Sequence, residues 1–85
     1  MNEAFEIHIV NEKKDNDTFF YDIGGRVLTK ISVGMVLYTS SNDAYIIISI
    51  KSYNRNIDNA YPPMGCEIAI KGEVKLKVNK TLYIR

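Results

Sequence analysis

The side chains able to act as nucleophiles, general bases or metal ligands are sparse in this sequence. His8 is the one histidine of the 85 residues and Cys66 is the one cysteine. A metal cluster or a Cys-His nucleophile pair would therefore require these two residues to meet. Cys66 stands in an apolar run, where a reduced thiol packs as a small hydrophobe. We expect structural roles for both residues, and neither a metal nor another cofactor.

Hydroxyl and carboxylate side chains add no catalytic pattern. Ser40 and Ser41 lack the glycine-flanked elbow of a nucleophilic serine, and the sequence holds no second histidine to activate them. Asp22, Asp58 and Glu67 show no spacing diagnostic of an acid-base pair. We therefore predict that the protein is not an enzyme.

Aromatic side chains give a stronger functional signal. The six tyrosines exceed what so small a core needs, and tyrosine is favoured at binding surfaces because it offers area with few rotors and a polar tip. One interpretation is that most of them cap the ends of a sheet. The other assigns binding to Tyr53, Arg55 and Tyr61, which flank the stretch after the most β-prone run. There an aromatic ring and a cation could stack on a base or dock into a partner.

Charge is unevenly distributed although the net charge is only +1. Residues 1–22 hold six acidic residues against two lysines, whereas residues 71–85 hold five basic residues against Glu73. These segments are either two solvated edges of a sheet or, at the carboxyl-terminal side, a basic docking surface. In the second case Lys75, Lys77 and Lys80 are the candidate binding residues.

Alternation of apolar and polar residues predicts β-strands along the whole chain. The predicted strands cover residues 5–10, 18–23 continuing at an angle through 26–29, 35–39, 45–53, 66–70, 74–78 and 81–84. Between them we expect an exposed hairpin loop at 11–17, a turn at 33–34, a polar turn at 40–43, a long shaped loop over 54–63 and a turn at 79–80. The glycines Gly24 and Gly25 are expected to bend the sheet.

These strands predict one all-β domain over residues 1–85. The economical architecture is a small closed or nearly closed antiparallel barrel of six to seven strands, because closure removes exposed sheet edges. Ile48 is expected at the barrel centre, so that Ile48→Ala would cost about 2–5 kcal/mol. The predicted core comprises Ile7, Ile9, Val27, Val36, Ile46, Ile48, Ile50, Ile68, Ile70 and Leu76.

One stretch carries a family resemblance. The segment Gly25-Arg26-Val27, followed by Ile31 and Val33-Gly34, resembles the second-domain β-barrel of translational GTPases, the elongation and initiation factors. In that family a strand enters a Gly-Arg-Val corner and a Val-Gly-Asp turn precedes the next strand; here Met35 replaces the acid. The resemblance spans residues 18–84 and continues through Ser49-Ile50, Ile57, Ala60, residues 62–65, residues 66–70 and Gly72.

The resemblance implies a translation-protein barrel without its GTPase domain. No Gly-x-x-x-x-Gly-Lys-Ser/Thr phosphate loop occurs, so we expect this chain to bind no nucleotide. In the family such barrels transmit nucleotide state, contact the small ribosomal subunit and, in some factors, hold the aminoacyl end of tRNA. The residues of that tRNA pocket are not matched here, so the resemblance implies a fold and a general ability to bind.

Two functions follow from these observations. The first is a non-catalytic protein-interaction or regulatory module, which agrees with the near-neutral charge. The alternative is an accessory protein that binds ribosomal RNA or tRNA through the basic carboxyl-terminal strands and the exposed tyrosines. Because the amino terminus lacks a signal-peptide pattern and no run approaches roughly 18 apolar residues, we expect a cytoplasmic protein that is not bound to a membrane.

Overall fold

The computed structural model describes residues 1–77 and 80–85, and the described residues form strands and turns without a helix. Val78 and Asn79, which we assigned to a strand and to a turn, lie outside the described residues. Nine strands follow one another along the described residues. They are β1 (Asn2–Asp15), β2 (Thr18–Val27), β3 (Ile31–Ser32), β4 (Val36–Tyr38), β5 (Ala44–Ser52), β6 (Arg55–Ile57), β7 (Asn59–Ala60), β8 (Gly65–Gly72) and β9 (Thr81–Ile84).

Six of the strands close into an antiparallel barrel. Their order is β4-β9-β1-β2-β8-β5, and pairing of β4 with β5 completes the ring. β6 extends the sheet beyond β5, and β3 pairs with β7 as a separate two-stranded ribbon. The predicted all-β barrel is thus confirmed, with one strand added outside the ring.

The barrel interior is filled by apolar side chains from every strand of the ring. Of the predicted core, Val27, Ile50, Ile68, Ile70 and Leu76 are buried, and Ile7 packs partly buried against them. The remaining buried apolar residues are Ala4, Phe5, Tyr21, Ile23, Ile31, Leu37, Tyr45, Ile47, Ala60 and Leu82.

A β-bulge in β5 overturns part of the core prediction. Tyr45 and Ile47 point inward, but the register with β8 shifts between Ile47 and Ser49, so that the next inward residue is Ile50. Ile48 is instead 42% exposed. Because the bulge inserts one extra residue, the inward residues Ile47 and Ile50 are three positions apart instead of two. The expected large cost of Ile48→Ala is therefore wrong, and Ile47 is instead the buried isoleucine whose truncation should be costly.

The other misplaced core residues have related causes. Ile46 lies on the outer face of β5, and Val36 is exposed because it pairs directly with Ile46 across β4 and β5. In β1 the register with β2 shifts between Ile7 and Ile9, which leaves Ile9 62% exposed. Paired residues in neighbouring strands share one face of a sheet, so each bulge changes the face for the residues that follow.

Both predicted loops are shorter than expected, because strands occupy part of each. Residues 11–15 continue β1, and Asp15 pairs with Thr18 across a two-residue turn at 16–17. After β5, Ser52 pairs with Arg55 to close a second tight hairpin, and β6 and β7 occupy half of the expected long loop. In each case the strand is paired but largely exposed, so its sequence need not alternate between apolar and polar residues.

The glycines meet two different backbone requirements, and the segment after β8 differs from expectation. Gly24 and Gly25 lie within a continuous β2, and a Cβ at Gly25 would overlap the carbonyl oxygen of Glu6. Gly25 therefore permits close approach of β1, whereas the predicted turn at Val33-Gly34 is confirmed, with φ = 92° at Gly34. Residues 73–77 form no strand, which corrects the prediction of one over 74–78.

Candidate functional site

The candidate residues fall at opposite ends of the barrel. β5 and β8 are antiparallel neighbours, so Ser52 and Gly65 mark one end while Ala44 and Gly72 mark the other. The eight residues of β8 separate the two ends by roughly 23 Å at about 3.3 Å per residue. We call these the Gly65 end and the Gly72 end.

Tyr53 and Arg55 lie at the Gly65 end, on the β5–β6 hairpin. The two turn residues Tyr53 and Asn54 have φ = 52° and φ = 61°, the left-handed pair that a two-residue hairpin turn of type I′ requires. Such turns favour Asn-Gly or Asp-Gly, because a bulky side chain at positive φ is strained. The Tyr53 side chain is also 96% exposed, so it gains no burial in return.

A polar groove of about 450 Å³ adjoins this turn. Its walls are residues 51–54 of the hairpin and residues 65–67 of β8, and Ser52 Oγ donates a weak hydrogen bond to the Gly65 carbonyl at 3.4 Å. Lys51 pairs with Glu67 in the register, which balances the charge of the groove. Burial raises the pKa of the Cys66 thiol, which keeps the thiol protonated and weakens it as a nucleophile.

Tyr61 does not join this hairpin. It follows β7, is 52% exposed, and has the Lys30 ammonium 5.4 Å from its ring centroid. The cation above this ring is thus Lys30 rather than Arg55. The predicted trio is separated into the hairpin pair and a tyrosine beside the β3–β7 ribbon.

The candidate lysines lie at the Gly72 end. Lys75, Lys77 and Lys80 are exposed along the segment between β8 and β9. Leu76, between the first two, is buried, and its N–H donates to the Tyr21 hydroxyl at 2.7 Å. The buried leucine anchors the segment while the flanking lysines face solvent.

Beside these lysines lies a groove that the sequence analysis missed. Its apolar surface includes Val36, Ile46 and Val74, and its volume is about 460 Å³. We call it the apolar groove; it is lined by Thr18, Val36, Ala44, Tyr45, Ile46, Lys71, Gly72, Glu73 and Val74. The signal in the sequence is the unbroken run Ile46-Ile47-Ile48, since adjacent apolar residues of a strand must occupy both faces.

Two tyrosine hydroxyls hold the wall of the apolar groove. Tyr45 Oη donates to the Val74 carbonyl at 2.6 Å, and its ring meets that of Tyr21 edge-on with centroids 6.1 Å apart. Burial, with smaller effects of Tyr21 and Asp43, raises the pKa of Tyr45 to about 12. Burial also raises the pKa of Tyr21. Both hydroxyls therefore stay protonated and able to donate at neutral pH.

The remaining candidate groups form no catalytic arrangement among the described residues. Glu6 accepts a 2.9 Å hydrogen bond from His8 Nε2 and lies 3.3 Å from Arg26, and these partners lower the pKa of Glu6, His8 first. Within residues 1–77 and 80–85, no three His, Cys, Asp or Glu side chains lie close enough to hold a metal ion.

In comparisons with known proteins, no family model, curated protein or solved structure matches this chain. Over the part of the chain that the structure describes, no helix is long and apolar enough to cross a membrane. The resemblance to translational GTPase barrels therefore stays a prediction based on the residues that carry it.

Proposed function

We propose that this barrel is a non-catalytic protein-interaction module, comparable to the second-domain barrels that it resembles. The observation that carries the proposal is Tyr53, a fully exposed tyrosine held in a left-handed turn. A non-glycine residue in this conformation costs about 1–2 kcal/mol, and the exposed ring recovers nothing within the chain. A partner protein that buries the Tyr53 ring would supply the favourable free energy that offsets this backbone strain.

The surroundings of Tyr53 favour a protein over a nucleic acid. Arg55 is exposed on the same hairpin, and tyrosine and arginine are both enriched at protein binding hot spots. The neighbouring groove pairs Lys51 with Glu67, so it offers no excess positive charge for phosphates. The tight turn also limits the entropy that docking would cost.

The test combines capture with stability. Tyr53→Asn suits the turn, so the variant should unfold at a higher temperature than the parent while capturing at least tenfold less partner protein from its native cell extract, treated with ribonuclease. Asn16→Gly is the matched control, because Asn16 occupies the same position of the β1–β2 turn at φ = 55°. That control should leave capture unchanged. Undiminished capture by Tyr53→Asn would refute the proposal.

RNA binding is the second candidate, and the exposed lysines at the Gly72 end favour it. If Lys75, Lys77 and Lys80 each contact one phosphate of a single strand, log K should fall against log salt with a slope of about −2. Replacing the three by glutamine should flatten that slope. Capture that survives both ribonuclease and high salt favours the protein-interaction module instead.

A further inference from the structure

The connection from β8 to β9 crosses one end of the barrel without joining its sheet. The two strands lie on opposite sides of the six-stranded ring, with two strands between them in each direction. Residues 73–77 follow Gly72 directly, and none of them belongs to a strand. We call residues 73–77 the strap. Because Leu76 of the strap is buried in the core, the strap runs over the Gly72 end of the barrel.

One side chain holds the strap to the core. Leu76 is 4% exposed and packs in the core cluster, whereas its neighbours Glu73, Val74, Lys75 and Lys77 are exposed. Burial of the leucine is favourable because it removes apolar surface from water. The exposed neighbours gain no such burial, so the strap is attached to the core at one point along its length.

Two buried tyrosines bind the strap backbone next to this leucine. Tyr45 Oη donates to the Val74 carbonyl oxygen at 2.6 Å, and the Leu76 N–H donates to Tyr21 Oη at 2.7 Å. The two rings meet edge-on with centroids 6.1 Å apart, so they support the strap together. Since the bonded carbonyl and N–H belong to residues 74 and 76, withdrawal of Leu76 from the core would break both hydrogen bonds at once.

The strands on both sides of the strap are fixed by contacts that do not involve it. Gly72, at the end of β8, pairs with Phe19, and Thr81, at the start of β9, pairs with Glu6. When the strap lifts, water replaces the hydrogen bonds that are lost, and the freed backbone regains conformational entropy. Opening of the strap should therefore cost less free energy than unfolding of the barrel.

We propose that the strap opens as a unit while the barrel stays folded, which gives the protein two forms that differ at the Gly72 end. In the open form Tyr21 and Tyr45 face solvent, and Val74 no longer lines the apolar groove. The strap also carries Lys75 and Lys77, so its opening displaces two of the three lysines of the RNA-binding alternative. A ligand that binds one form better than the other shifts the balance between them.

The test is native-state amide hydrogen exchange of the full chain, followed by NMR in urea below the unfolding transition. After correction for intrinsic rates, the Leu76 amide should exchange roughly tenfold or more faster than the amides of Ile68 and Ile70 in β8, which is paired on both edges. Its exchange should also depend less steeply on urea, because strap opening exposes less surface than unfolding does. The test needs no partner, so its result is independent of the proposed role of Tyr53.

Tyr45→Phe tests whether the strap contacts break together. This variant keeps the buried ring but removes the donor to the Val74 carbonyl. The Leu76 amide should then exchange about three- to tenfold faster, although its own hydrogen bond to Tyr21 is retained.

Ile50→Val is the matched control in the barrel core. Ile50 is buried and pairs with Ile68, so the variant should accelerate exchange of the Ile68 and Ile70 amides about threefold or more. It should leave the Leu76 amide unchanged, because the open and closed forms of the strap contain the altered core equally.

Four outcomes would overturn this inference. If the Leu76 amide matches the β8 amides in rate and urea dependence, or is accelerated equally with them by Ile50→Val, the strap leaves only when the barrel unfolds. An unchanged Leu76 amide in Tyr45→Phe would show that the contacts break separately. An unprotected Leu76 amide would show that the strap is not closed in solution. The urea dependence of the unsubstituted chain decides the proposal even where a variant does not fold.

Discussion

The β1–β2 and β5–β6 hairpins both close across two turn residues, and both place their first turn residue in the left-handed region. In the β1–β2 hairpin that residue is Asn16, whose short amide side chain tolerates positive φ. In the β5–β6 hairpin it is Tyr53, which does not. The β5–β6 turn also holds its second residue, Asn54, at positive φ, whereas Asp17 of the β1–β2 turn is not at positive φ. At the first turn position, positive φ is thus met at low cost by Asn16 and at high cost by Tyr53.

The difference shows where local sequence preference yields to another demand. The β1–β2 hairpin is supported by its own surface contacts, such as Lys13 Nζ at 3.2 Å from Asp22. The turn of the β5–β6 hairpin instead holds Tyr53, whose backbone is strained and whose ring is exposed. Natural sequences break such local rules mainly at functional sites, which is why the second hairpin carries the proposed function.

The largest effect should come from the strands leading into the two hairpins. Ile47 of β5 is buried, so Ile47→Ala should lower the free energy of unfolding by about 2–5 kcal/mol through lost transfer energy and a cavity. Ile9 of β1 is mostly exposed, so Ile9→Ala should cost about 0.5 kcal/mol or less. Urea unfolding followed by circular dichroism measures both. Similar costs at the two positions would contradict the assigned bulges.

Exchanging the turn residues tests the comparison directly. Asn16→Tyr should destabilise the protein by about 1–2 kcal/mol, since it places a bulky residue at positive φ. Tyr53→Asn should stabilise it by about 0.5–1 kcal/mol, because it relieves the same strain at the other hairpin. Thermal unfolding by calorimetry gives both signs. A destabilised Tyr53→Asn variant would mean that the tyrosine supports the fold.

The smallest expected effect is a pH dependence within the β1–β2 hairpin. The hydrogen bond from His8, aided by Arg26, lowers the pKa of Glu6 below its ordinary value near 4.5. Its stabilising contribution is therefore complete above that ordinary value and is lost as pH falls through the folded-state pKa. Glu6→Gln should slightly flatten the acid limb of stability against pH.

Glu12→Gln removes the same charge from β1 without touching the contacts of His8 and Arg26, and it serves as the control. Chemical denaturation between pH 2 and 6 compares the two variants. If both substitutions flatten the acid limb equally, the effect belongs to net charge and not to the contacts of Glu6 with His8 and Arg26.

Period-two alternation predicted the barrel because alternate residues must fill its interior. It gave the wrong inward-facing residues where a β-bulge inserts one extra residue into a strand. In the run Ile46-Ile47-Ile48 both faces fit an apolar pattern equally well, so only the bulge in the folded sheet decides that Ile47 points inward. Residues 11–15 were missed as strand for a different reason: their hairpin projects past the core and leaves both faces solvated.

The candidate site was predicted in part. Tyr53 and Arg55 were selected from residue type and from their place after β5, and the structure puts them together on one hairpin. Strain at Tyr53 was invisible, because tyrosine is a poor choice for the conformation it adopts. The apolar groove needs residues from β4, β5 and the segment after β8, and no local pattern brings those together.

Neighbouring strands of the barrel differ in the number of residues that they pair, and this difference bears on where the barrel opens locally. β1 and β2 share ten register pairs, whereas β4 and β9 share, among the described residues, only Tyr38 with Tyr83. The Arg85 guanidinium, 4.0 Å from the Tyr38 ring centroid, covers this seam. Short seams open at free energies well below that of global unfolding, so amide hydrogen exchange should be fastest there. Since β4 also carries Val36, each opening of the β4–β9 seam would widen the apolar groove.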